Sequence, residues 1–250
     1  MGSVSIVQIV VAVIASFAGS TIFSTVGFGI GMVAMPILLL VLDPQTAVVV
    51  LNSVEVPLAG LMVWQNRSHL KTKEMTSIAI AGLIGALVGA FLLASANENP
   101  LRISILVLIM ALALVTVFNS SGFSMPTPSI AGPLVGFIVG VILTSLAIGG
   151  PLLVLFIFTR NWDRHAVRSS LSLYFLFVMP TAVIGYAVGG LYTPDRVILT
   201  IITLAPVLIG FWLGSKLAQI MDERMFKTAA IMVILVTSTA VLIREVSQVY

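Results

Sequence analysis

The sequence predicts an all-α, polytopic transmembrane helical bundle of two inverted repeats, each opening with a broken or re-entrant helical hairpin. Three observations predict it. The chain is 59% apolar and 8% charged, where a soluble domain carries about 25% charged residues. Two uncharged runs, residues 4–42 and 130–159, are 39 and 30 residues long, whereas one upright crossing takes about 20. Each run holds a glycine-centred interruption, Gly27-Phe28-Gly29-Ile30-Gly31 in the first and Ala147-Ile148-Gly149-Gly150-Pro151 in the second. This composition excludes a soluble enzyme, a nucleic-acid binder and a disordered chain. The net charge of +3 therefore reports membrane orientation and not a nucleic-acid partner. There is no cysteine, so disulfides and thiolate metal sites are absent.

Taken in order, residues 4–24 read as the first membrane segment, since no basic residue precedes them as in a signal peptide. One helix over the whole first run would be about 58 Å long, nearly twice the hydrocarbon thickness. The run is therefore expected to bend back at Gly27–Gly31. Asp43 is suited to cap the next helix and Pro44 to open it. That helix is expected over 45–65, with Trp64 at the interface. A basic loop follows, containing Arg67, His69, Lys71 and Lys73. The next spans are expected over 75–95 and 101–118. Gly85 and Gly89 form a small-xxx-small pair suited to close helix packing. Residues 119–129 are polar and rich in Pro and Ser, marking a linker between a first repeat over 1–122 and a second over 123–250 within one membrane domain.

The second repeat opens with the 130–159 run, where Gly132, Gly136 and Gly140 share one helix face. A basic loop at 160–165 leads to a helix from about 166 to 190, with Pro180 inside. Further spans are expected over 197–218 and 228–243. Aligning Asp43 with Trp162 sets Ala47 against Ala166. If each long run is a hairpin returning to its own side, each half crosses an odd number of times and the halves are inverted. The basic loops at 66–74, 160–168 and 219–227 then all face the cytoplasm, and both termini lie outside.

The glycine-rich GFGIGMVAMPILLLVL, the helix starting at Asp43-Pro44 and the second copy GPLVGFIVGVILTSLAIGGPLLVLFIF together resemble the sulfite exporter TauE/SafE family, also called the toluene sulfonate uptake permease family. The resemblance covers nearly the whole chain. It implies secondary transport of small sulfur-containing anions, sulfite or organosulfonates, across the cytoplasmic (inner) membrane, with no cofactor. The residues alone indicate a broken-helix transporter.

An anion leaving water needs donors, and broken helices supply free amides and the positive end of the helix dipole. Gly27, Gly29, Gly31, Gly149 and Gly150 are accordingly expected to form two facing half-sites. Glu55 is the acid well inside a predicted span, about 18 Å along its helix from Asp43. It is the expected carrier of a coupling proton or sodium ion, or else part of a structural pair with Arg168 or Asn52. Asn52 and Ser53 are expected to line the same cavity. Arg168, followed by Ser169 and Ser170, offers a planar fork suited to sulfonate oxygens; a snorkelling arginine is the plainer alternative. Thr144 and Ser145 are further hydroxyl candidates, although membrane hydroxyls commonly bond their own helix. His69 and His165 read as loop residues and not metal ligands. No HExxH or GxSxG motif occurs, which argues against an intramembrane protease or hydrolase, and no enzyme activity is expected. Two rivals stand beside the ion-coupled alternating-access transporter: an anion channel with a glycine-lined filter, and a non-transporting structural subunit. The partners expected are the small anion, the lipid bilayer and the coupling ion; the oligomeric state is left open, a homodimer included.

Overall fold

A computed structural model of the chain describes residues 4–118, 131–158 and 164–220. The expected linker at 119–129, the turn at 160–163, the charged turn from 221 and the last span at 228–243 lie outside the described residues, as do the side chains of His69 and His165. The described residues form α1 (Ile6–Val26), α2 (Ile30–Leu38), α3 (Pro44–Asn66), α4 (Thr72–Ser95), α5 (Glu98–Phe118), α6 (Ala131–Leu146), α7 (Gly150–Phe158), α8 (Arg164–Val188) and α9 (Pro194–Ile220). Helices α1, α3, α4, α8 and α9 are long and apolar enough to cross a membrane. Several start about three residues before the apolar spans do: Thr72, Glu98 and Pro194. Polar first-turn residues sit beyond the hydrocarbon while the backbone is already helical. Asp43 caps α3 by accepting from the Thr46 amide at 2.9 Å, with Pro44 as the first helical residue.

Both long runs are interrupted where the glycines are. α1 ends at Gly27 and α2 starts after Gly29, two glycines at φ 95° and 98°, a region an L side chain rarely occupies. Gly31 lies past the break, inside α2. α2 then folds back along α1: a Cβ on Gly19 would meet Ile30 and Ala34, and the Gln8 side chain donates to the Val41 carbonyl at 3.1 Å. The second run does the same, since a Cβ on Gly132, near the start of α6, would meet Phe156, near the end of α7.

Hydrogen bonds gather one end of the bundle. The Gln45 amide donates to the carbonyls of Leu93 and Ala96. Arg196 reaches Thr46, Gln45, Asp43 and the Leu191 carbonyl. The base of the α1–α2 hairpin, the α4–α5 turn and the α8–α9 loop thus share that end. α6 runs beside α4 in the same direction, with Gly136 against Ile78 and Gly140 against Gly82. The second hairpin therefore begins at the opposite end, where α4 begins. α1 packs along α9 in the same manner, Gly210 against Phe17 and Ser20, Gly214 against Thr21 and Ser24. Tight packing at Gly85, Gly89, Gly132, Gly136 and Gly140 was legible in the sequence; the matching seam at Gly210 and Gly214 was not.

Two landmarks recur 120 residues apart: Val26 and Leu146 end a helix, and Ile30 and Gly150 start one. This spacing differs by one residue from the alignment of Asp43 with Trp162. It sets Asp43 against Asp163 instead, because the helix breaks, and not the polar turns, define the register.

Candidate functional site

The two breaks meet. A Cβ on Gly31 would run into the Ala147 carbonyl, and one on Gly150 would lie 2.7 Å from the Phe28 Cβ. Ala147 itself has φ 57°, a conformation that costs a non-glycine residue about 1–2 kcal/mol. The second break is thus held in a strained form against the first.

Beside this contact is a cavity lined by Gly29, Ile30, Gly31 and Met32 from the first break, Ala147, Ile148, Gly149, Gly150 and Pro151 from the second, and Leu143, Phe175 and Glu55. It is small, with room for about one water-sized group. Gly29 and Gly149, Ile30 and Gly150, Gly31 and Pro151, and Glu55 and Phe175 are pairs at the 120-residue spacing, and all face it. The first turns of α2 and α7 both point at it. By helix geometry the amides of Ile30, Gly31, Met32 and Gly150 have no intrahelical acceptor. Two positive dipole ends converge there. Glu55 is 2% exposed, and its Oε2 has no hydrogen-bond partner. No ion pair joins Glu55 to Arg168 among the described residues.

The opposite ends of the broken helices are capped from across the molecule. The last carbonyls of α1 and α6 stop in apolar surroundings and need donors. Arg168 on α8 donates its Nη2 to the Ser24 carbonyl of α1 at 2.6 Å and approaches the Met62 sulfur. A cation at a helix C-terminus is also favoured by the dipole. Asn52 on α3 donates its Nδ2 to the Leu143 carbonyl of α6 at 3.0 Å and to the Tyr186 hydroxyl. The Tyr186 hydroxyl in turn donates to the Thr144 carbonyl.

The structure therefore gathers Gly29, Gly31, Gly149, Gly150 and Glu55 around one cavity. Gly27 sits beside it, packed on Arg168, whose Cγ would lie 3.2 Å from an added Cβ. Arg168 and Asn52 serve the helix ends. Ser53 bonds the Val49 carbonyl and the Tyr192 hydroxyl; burial pushes the Tyr192 phenol up from its ordinary value. Thr144, Ser145 and Ser169 each bond a carbonyl of their own helix, those of Gly140, Val141 and Ala166. Ser170 is buried with its hydroxyl unpartnered. Tyr186 and Phe175 had no signal in the sequence, since an aromatic in an apolar helix looks the same whether it packs or caps.

A family model described as sulfite exporter TauE/SafE matches residues 11–241. The chain belongs to the TauE/SafE family. It is thereby a membrane protein of a transporter family, and its five span-length apolar helices agree. No curated protein and no solved structure gives a significant match.

Proposed function

We propose that this TauE/SafE protein moves a small sulfur-containing anion, sulfite or an organosulfonate, across the cytoplasmic membrane by alternating access, coupled to an ion carried on Glu55. The observation that carries the reading is the meeting of two helix breaks at one buried cavity, where free amides face an unpartnered carboxyl group. Backbone amides at Gly31 and Gly150 replace the water of the anion. Glycine there lets the guest approach the backbone. The small cavity favours a compact oxyanion over a larger one. A charged carboxylate and an anion about 4 Å apart repel by about 4 kcal/mol in a protein-like dielectric. Anion binding is thus linked to neutralising Glu55 with a proton or a sodium ion.

Alternating access follows from two inverted repeats, 1–122 and 123–250. Support comes from hairpins that enter from opposite ends of the bundle and from the recurrence of helix boundaries at 120 residues. Exposed Arg67, Lys71 and Lys73 lie where α4 begins, which makes that end cytoplasmic. Gly27, Asn52 and Arg168 act by holding the half-helix ends in place.

Counterflow in proteoliposomes tests the reading. Labelled sulfite or taurine outside should enter faster when unlabelled substrate is inside. Flux that ignores the trans substrate identifies a channel, and no flux of any sulfur anion identifies a structural subunit.

A further inference from the structure

Two buried oxygens lie one helical turn apart on α3 and neither has a partner: Asn52 Oδ1 and Glu55 Oε2. Residues three apart on a helix share a face, with Cβ atoms about 5–6 Å apart. Leu143 ties the two together, since its carbonyl accepts from Asn52 and its side of α6 lines the cavity with Glu55. The amide orientation of Asn52 is fixed by chemistry. Its nitrogen donates to the Leu143 carbonyl, which can only accept, and to Tyr186, whose hydroxyl already donates to the Thr144 carbonyl. Turning the amide over would set its oxygen against that carbonyl. The oxygen left over is a buried acceptor with no partner, and the Glu55 carboxyl oxygen one turn along α3 is another. A buried acceptor left unmet is costly, more so when it is charged.

We propose that Asn52 Oδ1 accepts a hydrogen bond from a proton carried on Glu55, so that one proton serves both oxygens. This rests on the reading of Glu55 as the coupling acid and deepens it: the coupling ion is a proton, and Asn52 is the positioning residue for it. Proton loading is then linked to the second break, because the amide that receives the proton's hydrogen bond also caps α6. The surroundings favour a proton over sodium. The cavity wall adds Met32, Leu143, Ile148 and Phe175 and has room for about one water-sized group. Tyr186 on α8 is committed to Asn52 and Thr144, and Tyr192 in the α8–α9 loop is bonded to Ser53. Arg168 on α8 is engaged at Ser24 and Met62. Arg196 on α9 is held at the bundle end, and Glu98 and Arg102 on α5 pair with each other. α2, α6 and α7 bring backbone and apolar side chains to the cavity.

Infrared difference spectroscopy on the full chain at neutral pH reads the proton directly. Wild type should show the C=O stretch of a protonated carboxyl, and Glu55→Gln should lose that band. Asn52→Leu should move it to higher frequency. Tyr186→Phe frees one of the two partners that pin the amide; it should also move the band, and it serves if Asn52→Leu does not fold. A missing band in wild type, or one unmoved in the variants, overturns the bridge. A band that disappears when sodium replaces potassium assigns the site to sodium and also overturns it. In proteoliposomes Glu55→Gln should lose accumulation driven by a pH gradient. If the bands behave as stated but nothing is transported, the bridge stands and the transport reading fails.

Discussion

Glycines in the first break do two different jobs, and substitution separates them. Gly29 has φ 98° and open space, with Ile22 Cγ2 3.9 Å from an added Cβ. Ala there faces only backbone strain, about 1–2 kcal/mol. Gly31 has an ordinary φ, yet its Cβ would collide with the Ala147 backbone. Nothing flexible can yield there, so the two breaks must part. Gly31→Ala should therefore abolish substrate-induced thermal stabilisation in detergent, while Gly29→Ala lowers the Tm by a few degrees and keeps the response. Equal behaviour of the two variants would contradict a site built on contact between the breaks.

At the level of elements, the bundle is held by two seams of small residues, α4 on α6 and α1 on α9. Lipid gives apolar helices no hydrophobic reason to associate, so close backbone approach must supply the attraction. A Cβ on Gly85 would strike the Phe137 carbonyl, whereas one on Gly60 meets nothing within 4 Å. Gly85→Ala should destabilise by about 1–3 kcal/mol through overpacking. Gly60→Ala should stabilise α3 by about 0.5–1 kcal/mol. Thermal unfolding of both variants in one detergent checks the contrast. The sequence pattern exposed the first seam, because Gly132, Gly136 and Gly140 repeat every fourth residue. It hid the second, because its partners Ser20, Thr21 and Ser24 look like ordinary helix hydroxyls.

For the whole molecule, the decisive question is which loops share a side. The chain has no cysteine, so single-cysteine reporters are clean. Inverted halves place the exposed positions 97 and 193 on the outer side and 68 on the inner side. An impermeant thiol reagent should label Asn97→Cys and Thr193→Cys on intact cells, and Ser68→Cys only after permeabilisation. Labelling of Asn97→Cys and Thr193→Cys from different sides would mean parallel halves. The Arg196 cluster with Asp43, Gln45 and Thr46 ties together the end of the bundle that carries positions 97 and 193.

Taken alone, the sequence determined that this is a helical membrane protein, that its two long apolar runs are interrupted, and that Glu55 lies deep in a span. Those features follow from local arithmetic: run length against bilayer thickness, glycine against helix propensity, and a charge against hydrocarbon. Only the tertiary structure decided what the polar residues do. Arg168 has the chemistry of an anion ligand, yet it caps α1, because a broken helix leaves carbonyls that lipid cannot satisfy and a donor from the other half of the chain is in reach. Asn52 is turned toward α6 for the same reason. Which stranded carbonyl lies nearest is a fact of packing between residues more than 90 positions apart, and no local pattern encodes it.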